Sequence, residues 1–201
     1  MIEYERWEGR FSGTSYEFGV EPAAFLVKHL HRLPKYGRAL AVADGEGRNG
    51  VWLARQGLDV VSMDFSPNAQ AKARALAAKH GVRMTTELAD ILTYAWPTDA
   101  YDVIAAIFFQ FLGPNDRHRV FGHIRNALKP GGLLLMTGYT PQQLEYGTGG
   151  PKAVENLYTR TLLEQEFAGF TKLEIDDYET VLTEGTGHHG MSAVIDVVAV
   201  K

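Results

Sequence analysis

The chain has 201 residues, a formal net charge of −4 and no cysteine, which predicts a single domain over residues 1–201 and excludes disulfides, thiolate nucleophiles and cysteine-ligated zinc. An apolar share of 45% and a charged share of 22% exclude disorder for most of the chain, and the acidic balance argues against a nucleic-acid partner. No apolar run reaches the roughly 18 residues of a membrane span, so we expect no membrane association, and an N-terminus unlike a signal peptide predicts the cytoplasm.

The chain begins with an irregular segment and then takes up a helix and strand pattern. Residues 1–20 are polar and aromatic without a clear period, and we interpret them as an arm or lid before a core of residues 21–201. A helix over residues 22–33, with Leu30 on its apolar face, is predicted to precede a first strand over residues 38–43.

Two further helix and strand pairs follow. We predict a helix over residues 48–56, a strand over residues 59–64, a helix that Ser66 caps and Gly81 ends, and a strand over residues 82–88. Alternation of this kind is typical of a parallel sheet with crossover helices.

The alternation continues through the middle of the chain. The pattern predicts a strand over residues 101–108, a helix over residues 114–128 and a strand over residues 133–139. A capping box of Thr161 and Glu164 indicates the start of one more helix.

The last two β runs cover residues 172–182 and 191–200. The segment between them is too short for a helical crossover, so the two strands must be antiparallel. We therefore predict an α/β fold. It is a doubly wound, mostly parallel sheet of about seven strands with helices on both faces and a C-terminal antiparallel hairpin.

The turn after the first strand carries the pattern G-x-G-x-x-G at Gly45, Gly47 and Gly50. Glycine lets backbone approach a ligand and a helix start offers free N–H groups, so the pattern favours a nucleoside-binding loop over a plain tight turn. Asp64 ends the next strand, where a carboxylate can accept both hydroxyls of an adenosine ribose.

Two more positions fit the adenine base of such a ligand. Phe65 is placed to lie against one face of the base, with a core position under the helix as the alternative. Asp90 follows the third strand, where an acid and a neighbouring backbone N–H can read the amino group and ring nitrogen. The alternative for Asp90 is the N-cap of a short helical turn.

The ordered set of glycine loop, Asp64, Asp90, the Lys129-Pro-Gly-Gly132 turn and the terminal hairpin resembles the class I S-adenosylmethionine-dependent methyltransferases. The resemblance runs from Arg38 to the C-terminus. It implies a Rossmann-like fold, S-adenosylmethionine as cofactor and S-adenosylhomocysteine as product.

Within that class, Gly45-Glu-Gly-Arg-Asn49 followed by Val51-Trp-Leu-Ala54 is similar to the group related to tellurite-resistance and thiopurine methyltransferases. The aromatic segments Trp7-Glu-Gly-Arg-Phe11 and Tyr16-Glu-Phe-Gly19 resemble the part that covers cofactor and acceptor in that group. The resemblance implies a small, soft acceptor, which is a thiol or a selenium or tellurium species. A small oxygen or nitrogen acceptor is the alternative.

The sequence departs from the class at the end of the first strand. The class has an acid there and a glycine two residues later, whereas this chain has Ala41 and Ala43. The acid usually holds the amino group of the cofactor indirectly, and Asp44 or Glu46 are the candidates to compensate. A cofactor-free pseudoenzyme is therefore a further alternative.

Two other functions share the glycine loop. A nicotinamide-dependent reductase is disfavoured because the chain has no room for a second substrate domain and no Tyr followed four residues later by Lys. A non-catalytic regulator that binds an adenosine ligand is the alternative outside the enzymes.

Ligands of open α/β sheets lie beyond the carboxyl ends of the parallel strands. Gln110, Tyr139, His188 and His189 fall on loops at this edge, and we predict them as catalytic residues. A solvent-facing amide for Gln110 and an exposed loop for the two histidines are the alternatives.

The remaining predicted positions fall into groups, and no metal ligands are among them. The cofactor-binding residues are Asp44, Gly45, Glu46, Gly47, Arg48, Asn49, Asp64, Phe65, Ser66, Asp90, Ile91, Ile107 and Phe108. The substrate or lid residues are Trp7, Phe11, Tyr16, Phe18, Phe111 and Tyr146. The other histidines are predicted to lie at the surface: His29, His31, His80, His118 and His123.

Overall fold

A computed structural model of the chain describes residues 2–201, with side chains from residue 4 onward. The described chain forms a seven-stranded sheet in the order β3-β2-β1-β4-β5-β7-β6. The strands are β1 (Arg38–Val42), β2 (Asp59–Asp64), β3 (Thr85–Leu88), β4 (Tyr101–Ile107), β5 (Leu128–Tyr139), β6 (Lys172–Glu184) and β7 (His188–Val200).

Helices cover both faces of this sheet. They are α1 (Ile2–Arg10), α2 (Ala24–Lys28), α3 (Arg48–Arg55), α4 (Pro67–Lys79), α5 (Pro114–Ala127), α6 (Gln143–Tyr146) and α7 (Arg160–Glu166), with short 3₁₀ turns at Leu30–Arg32 and Val154–Asn156. Within residues 2–201, every helix is too short or too polar to cross a membrane.

The strand pairing confirms the predicted architecture. Strands β1 to β5 pair in parallel, while β7 runs antiparallel to both β5 and β6. The carboxyl ends of β1, β2, β4 and β5 and the start of β7 therefore meet at one edge of the sheet.

Apolar packing on the two faces holds the helices against the strands. On one face, Val120, Phe121 and Ile124 of α5 are fully buried. On the other face, Leu53 of α3 and Leu26 of α2 are equally buried. Burial of side chains of this size stabilises each contact by roughly 1.5–3 kcal/mol, which fixes the position of the loops at the sheet edge.

The predicted helix over residues 22–33 is wrong in its second half. Helix α2 ends at Lys28, and His29 leaves helical geometry at φ −102° and ψ 13°. Because the helical period stops there, Leu30 turns outward and is 45% exposed, although the pattern placed it inward. His29 is buried against Phe25, so its predicted surface position is also wrong.

Other boundaries also differ from the predictions. Strand β5 begins at Leu128 and not at residue 133, and β6 runs to Glu184 while β7 begins at His188, so the two histidines predicted on a loop lie on a strand. Residues 1–20 contain helix α1, which the sequence pattern did not indicate. Thr159, and not Thr161, caps α7, because its side chain accepts a hydrogen bond from the N–H of Leu162 at 3.2 Å. Strand β3 begins at Thr85, since the residues before it follow the end of α4 without pairing.

Candidate active site

A cavity of about 610 Å³ opens at the carboxyl edge of the sheet. The arm, the glycine loop, the ends of β2, β4 and β5, the loop before α7 and the β6–β7 turn all contribute to its walls. The lining residues are Arg6, Trp7, Arg10, Phe11, Phe18, Ala43, Asp44, Gly45, Arg48, Asn49, Asp64, Phe65, Ile107, Phe108, Phe109, Gln110, Phe111, Tyr139, Gly149, Gly150, Pro151, Lys152, Ala153, Asn156, Gly187 and His188.

The glycine loop folds tightly between β1 and α3. Gly45 and Gly47 have φ values of 58° and 86°, which side chains rarely adopt, and a Cβ at Gly47 would lie 2.6 Å from the Cβ of Ala73. Gly45 lines the cavity, whereas Gly47 packs against α4. Gly45 therefore contributes to the cavity wall, whereas Gly47 allows the loop to pack closely on α4.

Ala43 takes up the left-handed conformation that its position demands. Its φ is 47°, a value that glycine adopts freely and alanine adopts at a cost of about 1–2 kcal/mol. The class that the sequence resembles has glycine at this position.

Asp64 closes the glycine loop onto the end of β2. Its Oδ2 accepts a hydrogen bond from the N–H of Gly45 at 2.8 Å, and its Oδ1 accepts one from the N–H of Ser66 at 2.9 Å. Burial raises the pKa of this carboxyl, against the two backbone donors. A carboxylate has about four acceptor sites, so Asp64 retains capacity for two hydroxyl donors from the cavity.

Asp44 lies deeper in the same loop. Its carboxylate accepts the N–H of Gly50 at 3.1 Å and the hydroxyl of Ser62 at 2.7 Å, which anchors the start of α3 on β2. Burial raises the pKa of Asp44 to about 7, and the hydrogen bonds from Ser62 and Gly50 only partly oppose it. Asp44 lines the cavity and is 8% exposed.

Glu46 points away from the cavity lining. It forms an ion pair with Lys72 at 2.6 Å and accepts the N–H of Glu17 at 2.7 Å, so it joins the glycine loop to α4 and to the arm. Ser66 also lies outside the lining, where it caps α4 by accepting the N–H of Ala69. For both residues the structure indicates support of the site, and their predicted cofactor contact stays a prediction.

Asp90 lines a second, adjoining cavity of about 470 Å³. Phe65 and Phe111 line both cavities and stand with ring centroids 6.4 Å apart. Asp90 Oδ1 accepts the N–H of Leu92 at 2.9 Å, so its alternative role in a short turn is present as well. Ile91 is buried in the core beside it.

An aromatic cluster forms another part of the cavity wall. The ring of Phe108 lies 4.8 Å from that of Tyr139 and 4.4 Å from that of His188, and Phe18 of the arm lies 4.5 Å from His188. The Tyr139 hydroxyl and the His188 Nδ1 atom are buried without a hydrogen-bond partner in the described chain. Burial raises the pKa of Tyr139 well above its ordinary value.

The two predicted catalytic histidines separate in the structure. His188 is 7% exposed and lines the cavity, whereas His189 is exposed and outside it. Successive residues of a strand point to opposite faces, so only one of the pair faces the site. The exposed-loop alternative fits His189 and not His188.

Gln110 lines the cavity, but its amide is already bound. The side-chain NH₂ donates to the carbonyl oxygens of Tyr139 at 2.9 Å and Asn156 at 3.3 Å, and the amide oxygen accepts the N–H of Tyr139. Gln110 therefore joins the loop after β4 to the end of β5. The structure favours a positioning role over direct contact with a reacting atom.

The arm covers one side of the cavity with stacked rings. Trp7 stacks on Phe11 at 5.6 Å and lies 6.2 Å from Phe18, and the Arg10 guanidinium lies 5.2 Å from the Trp7 ring. Tyr16 is not in the lining, because its hydroxyl donates to the backbone carbonyl of Lys72.

The predicted lid residue Tyr146 lies on α6, outside the lining of either cavity. In the described part of the chain, no three His, Asp or Glu side chains cluster in a way that could hold a metal ion.

Some lining residues escaped sequence reasoning. Arg10 lines the cavity from the arm, and Asn156 lines it from the 3₁₀ turn before α7. Glu184 lies outside the lining and pairs with the lining residue Arg48 at 2.7 Å across 136 positions of sequence. No local pattern signals such contacts.

Comparison with known proteins bears on this site. Residues 39–132 match the family model described as "Methyltransferase domain". A demethylmenaquinone methyltransferase from Thermus thermophilus is 32% identical over 114 residues, which are 56% of this chain and 50% of the relative. The chain thus spans about half the length of this curated relative.

Solved structures resemble nearly the whole chain in fold. TehB from Haemophilus influenzae superposes with a TM-score of 0.70 at 19% identity, over 99% of this chain and 67% of TehB. An S-adenosylmethionine-dependent methyltransferase from Methanosarcina mazei gives a TM-score of 0.70 at 17% identity, over 90% of this chain and 98% of that one. The seven-stranded sheet with its antiparallel end is therefore the Rossmann-like methyltransferase fold.

Proposed function

We propose that the chain is an S-adenosylmethionine-dependent methyltransferase that methylates a small, soft acceptor by direct transfer. The observation that carries the proposal is the cavity at the sheet edge, whose lining includes the glycine loop, Asp64 and an aromatic cluster. The domain match over residues 39–132 supports the same activity.

The residues present fit the cofactor. Asp64 has spare acceptor capacity beside the glycine loop, as a ribose diol requires. Phe65 and Phe111 line both cavities, so an adenine base near them is within reach of Asp90 in the second cavity. Of the two acids that could replace the one missing at Ala41, only Asp44 lines the cavity, and we assign it to the amino-acid end of the cofactor.

The aromatic cluster of the cavity wall is the proposed acceptor site. When bound, the cofactor supplies a methyl group already activated on a sulfonium, so the protein mainly orients the acceptor and excludes water. The rings of Phe108 and Phe18 face the cavity, where aromatic faces attract a sulfonium by about 1 kcal/mol. We further propose that residues 1–20 close over this wall as a lid.

Direct transfer follows from composition. The chain has no cysteine, so it has no thiol of its own to carry the methyl group between cofactor and acceptor. A thiol or a selenium or tellurium species is the proposed acceptor class. A small oxygen or nitrogen acceptor is the second candidate, because the buried His188 in the cavity is a candidate base for a hydroxyl as well as for a thiol.

Ligand binding tests the proposal directly. S-adenosylhomocysteine at about 100 times its Kd is expected to stabilise the fold by about 2.7 kcal/mol, which is roughly 5–10 °C in Tm for a chain of this size. NADH at the same concentration is expected to leave Tm unchanged. Stabilisation by NADH alone would favour the reductase, and stabilisation by neither ligand contradicts the proposed cofactor.

The role of Asp64 has its own prediction. The substitution Asp64→Ala is expected to weaken S-adenosylhomocysteine binding by at least about tenfold in calorimetry, because it removes charge-assisted hydrogen bonds to the ribose. The matched control is Asp59→Ala at the exposed start of the same strand, which should bind like the parent. Equal affinity in Asp64→Ala means that the assignment is wrong.

A methyl-transfer screen then identifies the acceptor class. Small thiols, selenite, tellurite, amines and phenols are offered with radiolabelled S-adenosylmethionine, and labelled products are separated. Turnover with thiols, selenite or tellurite supports the soft-acceptor proposal. Turnover confined to amines or phenols replaces it with the second candidate.

A further inference from the structure

Glu184 lies directly opposite His188 across the β6–β7 turn. The two residues are register partners at the end of β6 and the start of β7. Glu184 Oε2 lies 3.6 Å from His188 Nδ1, which is longer than a hydrogen bond but within ion-pair distance. Both side chains are nearly buried, with 11% and 8% of their surface exposed.

Two other elements hold the Glu184 carboxylate in place. The Arg48 guanidinium at the start of α3 pairs with Oε2 at 2.7 Å, and the N–H of Ala24 at the start of α2 donates to Oε1 at 3.0 Å. Burial alone would raise the pKa of Glu184, but the neighbouring His188 and Arg48 outweigh it and lower the pKa to about 2. Glu184 therefore stays ionised at neutral pH.

The charged and titratable groups that face His188 come from four elements. They are Glu184 of β6, Arg48 of α3, Arg10 of α1 and Tyr139 of β5. Burial lowers the pKa of His188, and the two arginines act in the same direction against Glu184. The ring is consequently neutral near pH 7, as a proton acceptor must be.

We propose that Glu184 is the positioning residue for His188 in the methyl transfer proposed above. Its carboxylate favours the tautomer with the proton on Nδ1, which faces Glu184. The Nε2 atom is then the unprotonated nitrogen available to the cavity, where it acts as a general base. A carboxylate that orients a histidine in this way is a recurrent arrangement in enzyme sites.

This arrangement narrows the acceptor to one that carries a proton on the reacting atom. As the acceptor bonds to the methyl carbon, its X–H bond breaks, the electron pair stays with X, and the proton passes to His188 Nε2. The carbon–sulfur bond of the sulfonium breaks with its pair on sulfur, and the proton later leaves to solvent. A thiol, with an ordinary pKa near about 8.5, fits this step, whereas a fully ionised oxyanion has no proton to give.

Nuclear magnetic resonance of isotope-labelled histidine tests the pair without any turnover. His188 is assigned by the loss of its signals in His188→Asn, and spectra are recorded with S-adenosylhomocysteine present. We expect a neutral ring protonated on Nδ1 in the parent. In Glu184→Gln we expect loss of that tautomer preference and a His188 pKa lower by about one unit.

Two controls distinguish a positioning role of Glu184 from a merely structural role. Glu174→Gln removes a carboxylate of the same strand that pairs with Arg32 away from the cavity, and it should change neither tautomer nor pKa. S-adenosylhomocysteine affinity should stay within about threefold in Glu184→Gln, since the glutamine amide oxygen can still accept from Arg48, which lines the cavity beside the glycine loop. An unchanged tautomer and pKa in Glu184→Gln would falsify the positioning role, whatever the ligand results.

A kinetic arm uses 2-mercaptoethanol as the acceptor probe. Glu184→Gln is expected to lower kcat by about 10–100-fold with little change in the KM for S-adenosylmethionine, and Glu184→Asp should recover part of the loss. The pH profile of kcat/KM should shift with the measured His188 pKa. Failure of cofactor binding in the parent refutes the methyltransferase, whereas normal turnover in Glu184→Gln refutes only the pair.

Discussion

Asp44 illustrates how strongly burial acts on a single carboxyl at this site. Its pKa is raised to about 7 from an ordinary 3.8, mainly because the group is buried, although Ser62 and Gly50 donate to it. The folded chain therefore holds a proton between about pH 4 and pH 7 that the unfolded chain has lost. The contribution of Asp44 to stability falls as the pH rises through this window.

This fall in stability with rising pH can be measured. In Asp44→Asn the side-chain oxygen can still accept from Gly50, but the titration is gone. We expect the Tm of the parent to fall more than that of Asp44→Asn between about pH 5 and pH 8. Thermal unfolding of both proteins at the two pH values measures the difference, with the exposed Asp59→Asn as control. Parallel pH dependences would contradict the raised pKa.

Single residues also show which side-chain contacts the local sequence could not predict. Gln110 and His188 were predicted at the correct edge of the sheet, because each follows or begins a recognisable strand. What their side chains contact depends on Tyr139, Asn156 and Glu184, which lie on other elements. Glu46 was predicted as a cofactor contact, and its ion pair with Lys72 could not be foreseen because Lys72 also lies on another element.

At the scale of elements, the arm and the β6–β7 turn form one contact. The carbonyl oxygen of Glu17 accepts the N–H groups of Thr186 at 2.9 Å and Gly187 at 3.0 Å. Gly185 lies against the arm so closely that a Cβ there would overlap the backbone of residues 17–19. The turn that carries His188 and the arm that carries Phe18 therefore dock together.

A matched pair of glycines tests this docking. Gly185 and Gly131 both have positive φ, 66° and 79°, but nothing lies within 4 Å of a Cβ at Gly131. Both substitutions to alanine carry a similar backbone cost of about 1–2 kcal/mol. Only Gly185→Ala should release the arm, with tryptic cleavage after Arg10 faster by about tenfold or more. Equal cleavage rates in the two variants would show that the arm does not depend on this contact.

The existence of helix α1 and the early end of α2 could not be predicted from the local sequence pattern. Helix α1 docks on α4, where Glu8 accepts the Ser66 hydroxyl and its carbonyl accepts the Asn68 side chain at 3.2 Å. Such support comes from tertiary packing, which a nine-residue helix needs because short isolated helices are marginal in water. Helix α4 was predicted because its cap Ser66 and the glycine after its end, Gly81, are local signals.

At the scale of the whole molecule, stability resides in the packed faces of the sheet. Phe121 of α5 is completely buried among Phe109, Tyr158 and Phe167, with ring centroids 5.2–6.0 Å away. This cluster joins α5 and α7 to the loop after β4. The loop after β4, which this cluster holds in place, contributes to the cavity wall.

Removal of this ring is expected to be costly. Phe121→Ala should lower the free energy of unfolding by about 3–5 kcal/mol, since it leaves a cavity where no neighbour can collapse freely. Urea unfolding measures the change, and Tyr36→Ala, at a side chain that is 81% exposed, should stay within about 0.5 kcal/mol of the parent. A Phe121→Ala loss below about 1 kcal/mol would place the core elsewhere.

The sequence by itself determined the strand and helix alternation, the antiparallel end of the sheet and the edge at which the loops meet. These follow from the spacing of apolar residues, from caps such as Ser66 and from a connection too short for a crossover, all of which act over a few neighbouring residues. The glycine loop and Asp64 were found in the same way, because their chemistry depends on adjacent backbone.

Only the tertiary structure decided which side chains share the cavity. Glu184 meets Arg48 and His188, Arg10 and Trp7 face the same space, and Asp44 rather than Glu46 lines it. These contacts join residues far apart in the chain, and their energies depend on burial and distance, which no local pattern specifies. The aromatic part of the cavity wall is therefore a property of the folded molecule, whereas the glycine loop and Asp64 could be recognised in the sequence.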